Sequence, residues 1–205
     1  MKDIDFLERQ FGGRWCGIRF GTMPGEKASL ITSPMSFCQA VAESHAGPVA
    51  LTPELLDCPG GGRSIGWNNK ENGLAESMAE KSNIDILIAE RIIKNTPALD
   101  GNFDQIIIGT MNAPDIFISH AQPESAMHMI RTRQKLTGEM IPLEISGFMS
   151  VCGAVAAKAY RTNTICISFG CPESRKYSAL GRDRLVFGIS AALVKEIMKK
   201  EQRNG

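Results

Sequence analysis

The chain has 205 residues, of which 43% are hydrophobic, 22% charged and 6% aromatic. This composition can form a buried core, and 23 basic against 22 acidic side chains leave a net charge of +1. Without a basic surface or many aromatic side chains, we expect neither nucleic acid nor an anionic membrane to be the main partner.

The cellular compartment decides how the six cysteines are interpreted. The N-terminus is charged and lacks the apolar segment of a secretory signal, and no apolar run approaches the roughly 20 residues that span a bilayer. We therefore expect a cytoplasmic protein with reduced thiols and no membrane partner. Disulfides are then not expected, which leaves metal ligation, redox chemistry or simple burial for these cysteines.

Helical and strand patterns alternate along the chain. Ser33 and Pro34 are suited to start a helix, β-branched runs indicate buried strands, and Gly138 is suited to end a helix. The alternation predicts an α/β fold, a layered sheet with flanking helices and some antiparallel pairing, in a single domain over residues 1–205. In chain order, we predict a strand at 14–20, a turn at 23–26, a helix at 35–46, a strand at 48–52, a glycine-rich loop at 57–66, a helix at 84–95, strands at 105–109 and 116–119, helices at 123–136 and 151–160, strands at 164–169 and 185–189, and a helix at 191–200.

Two segments of the chain resemble each other, and each contains two cysteines. Residues 35–42 and 149–156 are identical at six of eight positions, and a strand pattern and a Cys-Pro pair follow each segment. The paired cysteines are separated by 19 residues in the first segment and 18 in the second. A shorter similarity, between residues 20–23 and 108–111, lies upstream.

We interpret these similarities as an internal duplication with halves at about 14–96 and 103–201. Two copies that pack about a pseudo-two-fold axis bring equivalent residues together, and the same self-complementarity is compatible with a homodimer. Cys16 and Cys166 lie in the middle of predicted strands and are expected to be core residues. The cysteines expected to converge on one site are Cys38, Cys58, Cys152 and Cys171.

Four converging thiolates are suited to an iron–sulfur cluster or to zinc, because both are soft enough to prefer sulfur ligands. The chain has no C-x-x-C pair, which structural zinc sites usually contain. A cluster, most simply 4Fe–4S, is therefore favoured over zinc. Cys38 and Cys152 lie in the predicted first turn of a helix, where free N–H groups stabilise a thiolate. That feature would equally suit a reactive thiol.

A glycine-rich segment after Cys58 is a second candidate for binding. Its three glycines could direct backbone N–H groups into an anion-binding nest, with Arg63 adding charge, although a plain turn is also possible. The corresponding segment after Cys171 contains Arg175, so a site built from both segments would be asymmetric and cationic on one side. Phosphate-binding P-loop and dinucleotide-binding motifs are absent. The nest consists of Gly60, Gly61, Gly62 and Arg63.

Several of these motifs together resemble the uncharacterised archaeal cysteine-rich (ArCR) family, over about residues 14–200. The resemblance supports the four cysteines as one set and implies no substrate. The motifs are Cys38-Gln39-Ala40-Val41, Cys58-x-Gly60-Gly61, Ser150-x-Cys152-Gly153, Ser168-Phe169-Gly170-Cys171-Pro172-x-Ser174-Arg175 and Val186-Phe187-Gly188-Ile189.

The leading hypothesis is an iron–sulfur protein with a redox or electron-transfer role, working with a redox partner protein. One alternative is a metal-free module that binds a small anionic ligand through the glycine-rich segment and Arg175. Another is a thiol-dependent enzyme with Cys38 or Cys152 as nucleophile. The sequence leaves all three open.

Overall fold

A computed structural model gives the fold and describes residues 2–22, 28–67, 72–101, 103–178 and 180–204. The strands are β1 Arg14–Phe20, β2 Ser29–Leu30, β3 Val49–Leu51, β4 Ile106–Gly109, β5 Ile116–Ala121, β6 Ile165–Ser168 and β7 Leu185–Ser190. The α-helices are α1 Lys2–Phe11, α2 Phe37–Glu43, α3 Pro59–Ile65, α4 Leu74–Ser82, α5 Ile86–Asn95, α6 Pro123–Thr137, α7 Lys158–Arg161, α8 Pro172–Tyr177 and α9 Ala191–Asn204. A 3₁₀ turn lies at Pro53–Leu55, and a π-helix at Ser150–Ala157 leads directly into α7.

The strands form one seven-stranded sheet in the order β2-β3-β4-β1-β5-β7-β6. Only β2 and β3 are parallel among the described strand pairs. The α/β class is confirmed, with antiparallel pairing dominant. Three strands, β4, β3 and β2, lie on one side of the adjacent pair β1 and β5, and two strands, β7 and β6, lie on the other.

Side chains alternate between the two faces of the sheet along each strand, and both faces are buried under helices. On β1, Cys16 and Ile18 point to one face and Trp15 to the other. Helices α1, α6 and α9 cover the Trp15 face, while α2, α3 and the π-helix cover the Cys16 face. Helix α8 contacts α2, so all four candidate cysteines lie on elements on the same side of the sheet as Cys16.

The predicted elements agree with the structure mainly in the strands and long helices. The β1 strand has the predicted bounds, and Gly138 ends α6 as expected. The helix predicted at 35–46 begins at Phe37, and Ser36 rather than Ser33 is its N-cap. The prediction missed α1, β2, α4 and α8. The turn predicted at 23–26 lies outside the described residues.

The prediction of a glycine-rich loop at 57–66 was wrong, because Pro59–Ile65 forms helix α3. A Cβ on Gly60 would lie 2.8 Å from the Cγ of Met149. Tertiary packing against the π-helix therefore outweighs the poor helix propensity of glycine.

Among the described helices, none is both long and apolar enough to cross a membrane.

Candidate functional site

The structure brings the four predicted cysteines to one cavity of about 140 Å³. Each comes from a different element: α2, the start of α3, the π-helix and the start of α8. Cys16 and Cys166 are buried in the core and do not line this cavity, as expected. The cavity-lining cysteines are Cys38, Cys58, Cys152 and Cys171.

Cys38 is held by the capped start of α2. The Ser36 Oγ accepts a hydrogen bond from the Gln39 N–H at 3.2 Å, and the Gln39 Oε1 accepts one from the Ser36 N–H at 2.8 Å. This capping box satisfies two backbone donors that would otherwise be unpaired. Phe37 and Val41 bury the helix against the sheet, so Cys38 in the first turn has a defined position.

Cys58 is the N-cap residue of α3, and Pro59 occupies the first helical position. The Cys58 Sγ accepts a hydrogen bond from the Gly61 N–H at 3.3 Å. The thiol thus takes the place of the usual serine or aspartate cap. A backbone donor on the sulfur favours the thiolate form, which is the form that ligates metals.

Cys152 lies in the π-helix, which packs closely on α3. Its Sγ is 3.7 Å from the carbonyl oxygen of Gly60 and donates to it. A Cβ on the next residue, Gly153, would lie 3.0 Å from the Ser64 Oγ of α3. The glycines of the two helices therefore permit the close approach that places Cys152 beside Cys58.

Cys171 is the N-cap residue of α8, and Pro172 again follows it. The Cys171 N–H donates to the Ser174 Oγ at 2.9 Å, and the Ser174 N–H donates to the Cys171 Sγ. The preceding turn is held by Ser168, whose Oγ accepts from the Gly170 N–H at 3.1 Å and contacts the Ser150 Oγ. Cys58 and Cys171 therefore have the same local role, with a sulfur cap followed by proline.

The four thiols influence one another's ionisation. A hydrogen bond to Cys171 and burial raise the pKa of Cys38 well above its ordinary value, and burial raises the pKa values of Cys58 and Cys152. The hydrogen bond from Cys38 lowers the pKa of Cys171 to about 6. Near neutral pH the metal-free cavity therefore holds one thiolate, Cys171, among neutral thiols. A bound cation would be needed to ionise the other three cysteines.

In metal-free protein, we expect iodoacetamide to label Cys171 before the other cavity thiols. The labelling rate should rise with pH through about 6 and then level off, because only the thiolate reacts. Cys152 should remain unlabelled in this range, since burial raises its pKa. Peptide mass mapping after timed labelling from about pH 5 to pH 8 measures both rates. Equal labelling of the two cysteines would contradict this description of the site.

Arg63 and Arg175 do not line the cavity. The Arg175 guanidinium donates to the backbone carbonyls of Gly181 at 2.9 Å and Arg184 at 3.3 Å, so it holds a neighbouring loop. Gly60, Gly61 and Gly62 are buried within α3, where they serve helix packing. Gly60 does line the cavity, and the Gly61 N–H donates to the Cys58 Sγ. An anion-binding nest of Gly60, Gly61 and Gly62 with Arg63 and Arg175 stays a prediction.

Sequence reasoning missed a different cation at the cavity, Lys81 of α4. Leu74, Ser77, Met78 and Lys81 are spaced i, i+3, i+4 and i+7 and line the cavity together. That spacing is typical of one helix face and was the signal available in the sequence.

Within the described ranges, no group of three or more His, Cys, Asp and Glu side chains is already arranged to hold a metal ion. The four cysteines share the cavity, and ligation of one centre would draw their sulfurs closer together.

Comparison with known proteins adds a family but no activity. No curated protein and no solved structure matches the chain significantly. A family model described as "Uncharacterised ArCR" matches residues 18–200, which include all four cavity cysteines. The chain therefore belongs to the uncharacterised ArCR family.

Proposed function

We propose that Cys38, Cys58, Cys152 and Cys171 bind one iron–sulfur cluster, a 4Fe–4S cluster in the simplest case, and that the protein has a redox or electron-transfer role. The observation that carries the proposal is the convergence of these four cysteines, distant in sequence, on a single cavity. Four thiolates are the usual ligand set of such clusters, and the cluster would supply one-electron chemistry.

The surroundings of the cysteines suit a cluster. The cavity walls include Phe37, Leu74, Met78, Phe148 and Met149, which would limit the access of water. Backbone N–H groups point at two of the sulfurs, from Gly61 to Cys58 and from Ser174 to Cys171. Hydrogen bonds to cluster sulfurs and an apolar shell both tune the reduction potential. Structural zinc remains the less favoured metal because closely spaced ligand pairs are absent.

The proposal includes an internal duplication, with halves at about 14–96 and 103–201. It is supported by the equivalent cap positions of Cys58 and Cys171. A cluster at the junction would then take two ligands from each half.

The test is anaerobic purification followed by iron and acid-labile sulfide analysis and an optical spectrum. We expect near-stoichiometric iron and sulfide, with broad visible absorbance that bleaches on reduction by dithionite. Zinc is measured in the same sample as the competing metal. A colourless protein that stays free of iron after anaerobic reconstitution would overturn the proposal.

A second candidate function, thiol chemistry, is favoured by one observation, the lowered pKa of Cys171. The pKa values of Cys38 and Cys152 are raised, so neither of these cysteines is an activated nucleophile in the metal-free site. A thiol enzyme would therefore use Cys171. Such a protein would keep its fold and stability when Cys38 is replaced by serine, whereas an iron–sulfur protein would lose metal and stability.

A further inference from the structure

One wall of the four-cysteine cavity is a single face of α4. Leu74 and Met78 are buried at its inner part, Ser77 is half-buried and Lys81 is exposed at its outer end. The wall therefore changes from apolar beside the cysteines to cationic at the opening. Phe148 and Met149 extend the apolar part from the opposite side.

This wall is separate from the elements that carry the cysteines. Helix α4 packs on α5, and the space between α4 and the cysteines remains as the cavity. A metal centre would be held by α2, α3, the π-helix and α8. The α4 face would then form the other side of a site beside that centre.

The polar groups of this face are available to a ligand. Across the described parts of the chain, Lys81 and Ser77 take part in no ion pair or side-chain hydrogen bond. Glu173 of α8 also lines the cavity, together with the four cysteines. Lys81 and Glu173 do not pair with each other, which leaves one cationic and one anionic group around the opening.

We propose that this part of the cavity binds a small monocarboxylate with an apolar body. Its carboxylate would contact the Lys81 ammonium and the Ser77 hydroxyl, and its apolar body would contact Leu74, Met78 and Met149. The carboxylate of Glu173 disfavours a second negative charge on the ligand. The inference rests on the proposed function, because it names the ligand class bound beside the proposed centre.

The test uses methionine methyl groups as reporters in the full-length protein. Met78 and Met149 line the cavity, whereas Met140 is 85% exposed and lies outside it. The protein carries [methyl-¹³C]methionine, and Met78→Leu and Met149→Leu variants assign the two signals. Butanoate is titrated at constant pH and ionic strength, with butanamide as the uncharged probe of the same shape.

We expect saturable shifts of the Met78 and Met149 signals with butanoate, and no saturable shift of Met140. Lys81→Ala should weaken binding about tenfold, because a charge-assisted contact to the carboxylate is lost. Lys94→Ala is the matched control, since Lys94 is also an exposed helical lysine but does not line the cavity. The Lys94→Ala variant should bind butanoate with the same affinity as the unsubstituted protein.

Absence of saturable shifts would overturn the inference. Equal binding of butanamide, or undiminished binding by Lys81→Ala, would do the same, since either outcome indicates apolar partitioning without carboxylate recognition. Iron and sulfide are measured on the same sample. A protein that stays colourless and iron-free after anaerobic reconstitution but binds butanoate would overturn only the proposed cluster. An iron-loaded protein that does not bind butanoate would overturn only the proposed ligand.

Discussion

Replacing Cys152 by alanine is expected to abolish metal binding, whereas replacing Cys166 by alanine is expected to preserve it. The two cysteines are matched in burial, at 5% and 3% exposed, but only Cys152 lines the four-cysteine cavity. A cluster that loses one of four thiolate ligands is destabilised, and the remaining thiols return to their metal-free ionisation. Cys166 lies in β6 and contributes only packing.

The two substitutions should also differ in stability. A centre whose free concentration is about a thousand times its dissociation constant stabilises the fold by about 4 kcal/mol. Under that condition Cys152→Ala should lower the free energy of unfolding by at least about 4 kcal/mol. Cys166→Ala should cost about 1 kcal/mol, from lost packing alone. Urea unfolding under anaerobic conditions, with iron measured on the same samples, gives both quantities. Retention of iron by Cys152→Ala, or its loss from Cys166→Ala, would contradict the assignment of ligands.

Replacing Gly66 by alanine is expected to destabilise the protein far more than replacing Gly138. Both glycines end a helix in the left-handed region, with φ of +85° and +72°. Each substitution therefore carries the strain of about 1–2 kcal/mol that a side chain has in this conformation. At Gly66 the new Cβ would also lie 2.2 Å from the carbonyl oxygen of Leu99, whereas at Gly138 nothing lies within 4 Å.

The obstruction at Gly66 lies in the backbone, so no side-chain rotation removes it. The Leu99 N–H donates to the Ser64 carbonyl of α3 at 2.9 Å, and this contact would be pushed apart. We expect Gly66→Ala to cost at least about 3 kcal/mol and Gly138→Ala about 1 kcal/mol. Urea unfolding midpoints measure both. Similar losses of stability in the two variants would show that the close packing of residues 99–101 against α3 does not exclude a side chain at position 66.

Local patterns predicted those elements in which propensity and packing agree. The β1 strand has its predicted bounds because Arg14–Phe20 has strand-forming residues and ends before a glycine. Helix α6 was predicted because Pro123 and Gly138 mark its ends. Helix α1 was missed although Ile4, Leu7 and Phe11 have a helical spacing.

Helix α3 shows why the remaining elements could not be predicted in this way. Its glycines favour a loop in isolation, and it is helical because glycines without side chains can pack directly on Met149 at the start of the π-helix. Arg175 shows the same limit for function. Its sequence position after Cys171 suggested an anion contact, but the loop at 181–184 folds back and its carbonyls accept from the guanidinium.

The sequence by itself determined the α/β class and the set of four cysteines, because the repeated segment and the two Cys-Pro pairs are visible without a structure. Only the tertiary structure decided the sheet order, the shared cavity and the face of α4 that completes it. The physical reason is that these features depend on contacts between residues far apart in the chain. Local propensity contains no information about such contacts. They form only when α3 and α4 pack in the folded chain.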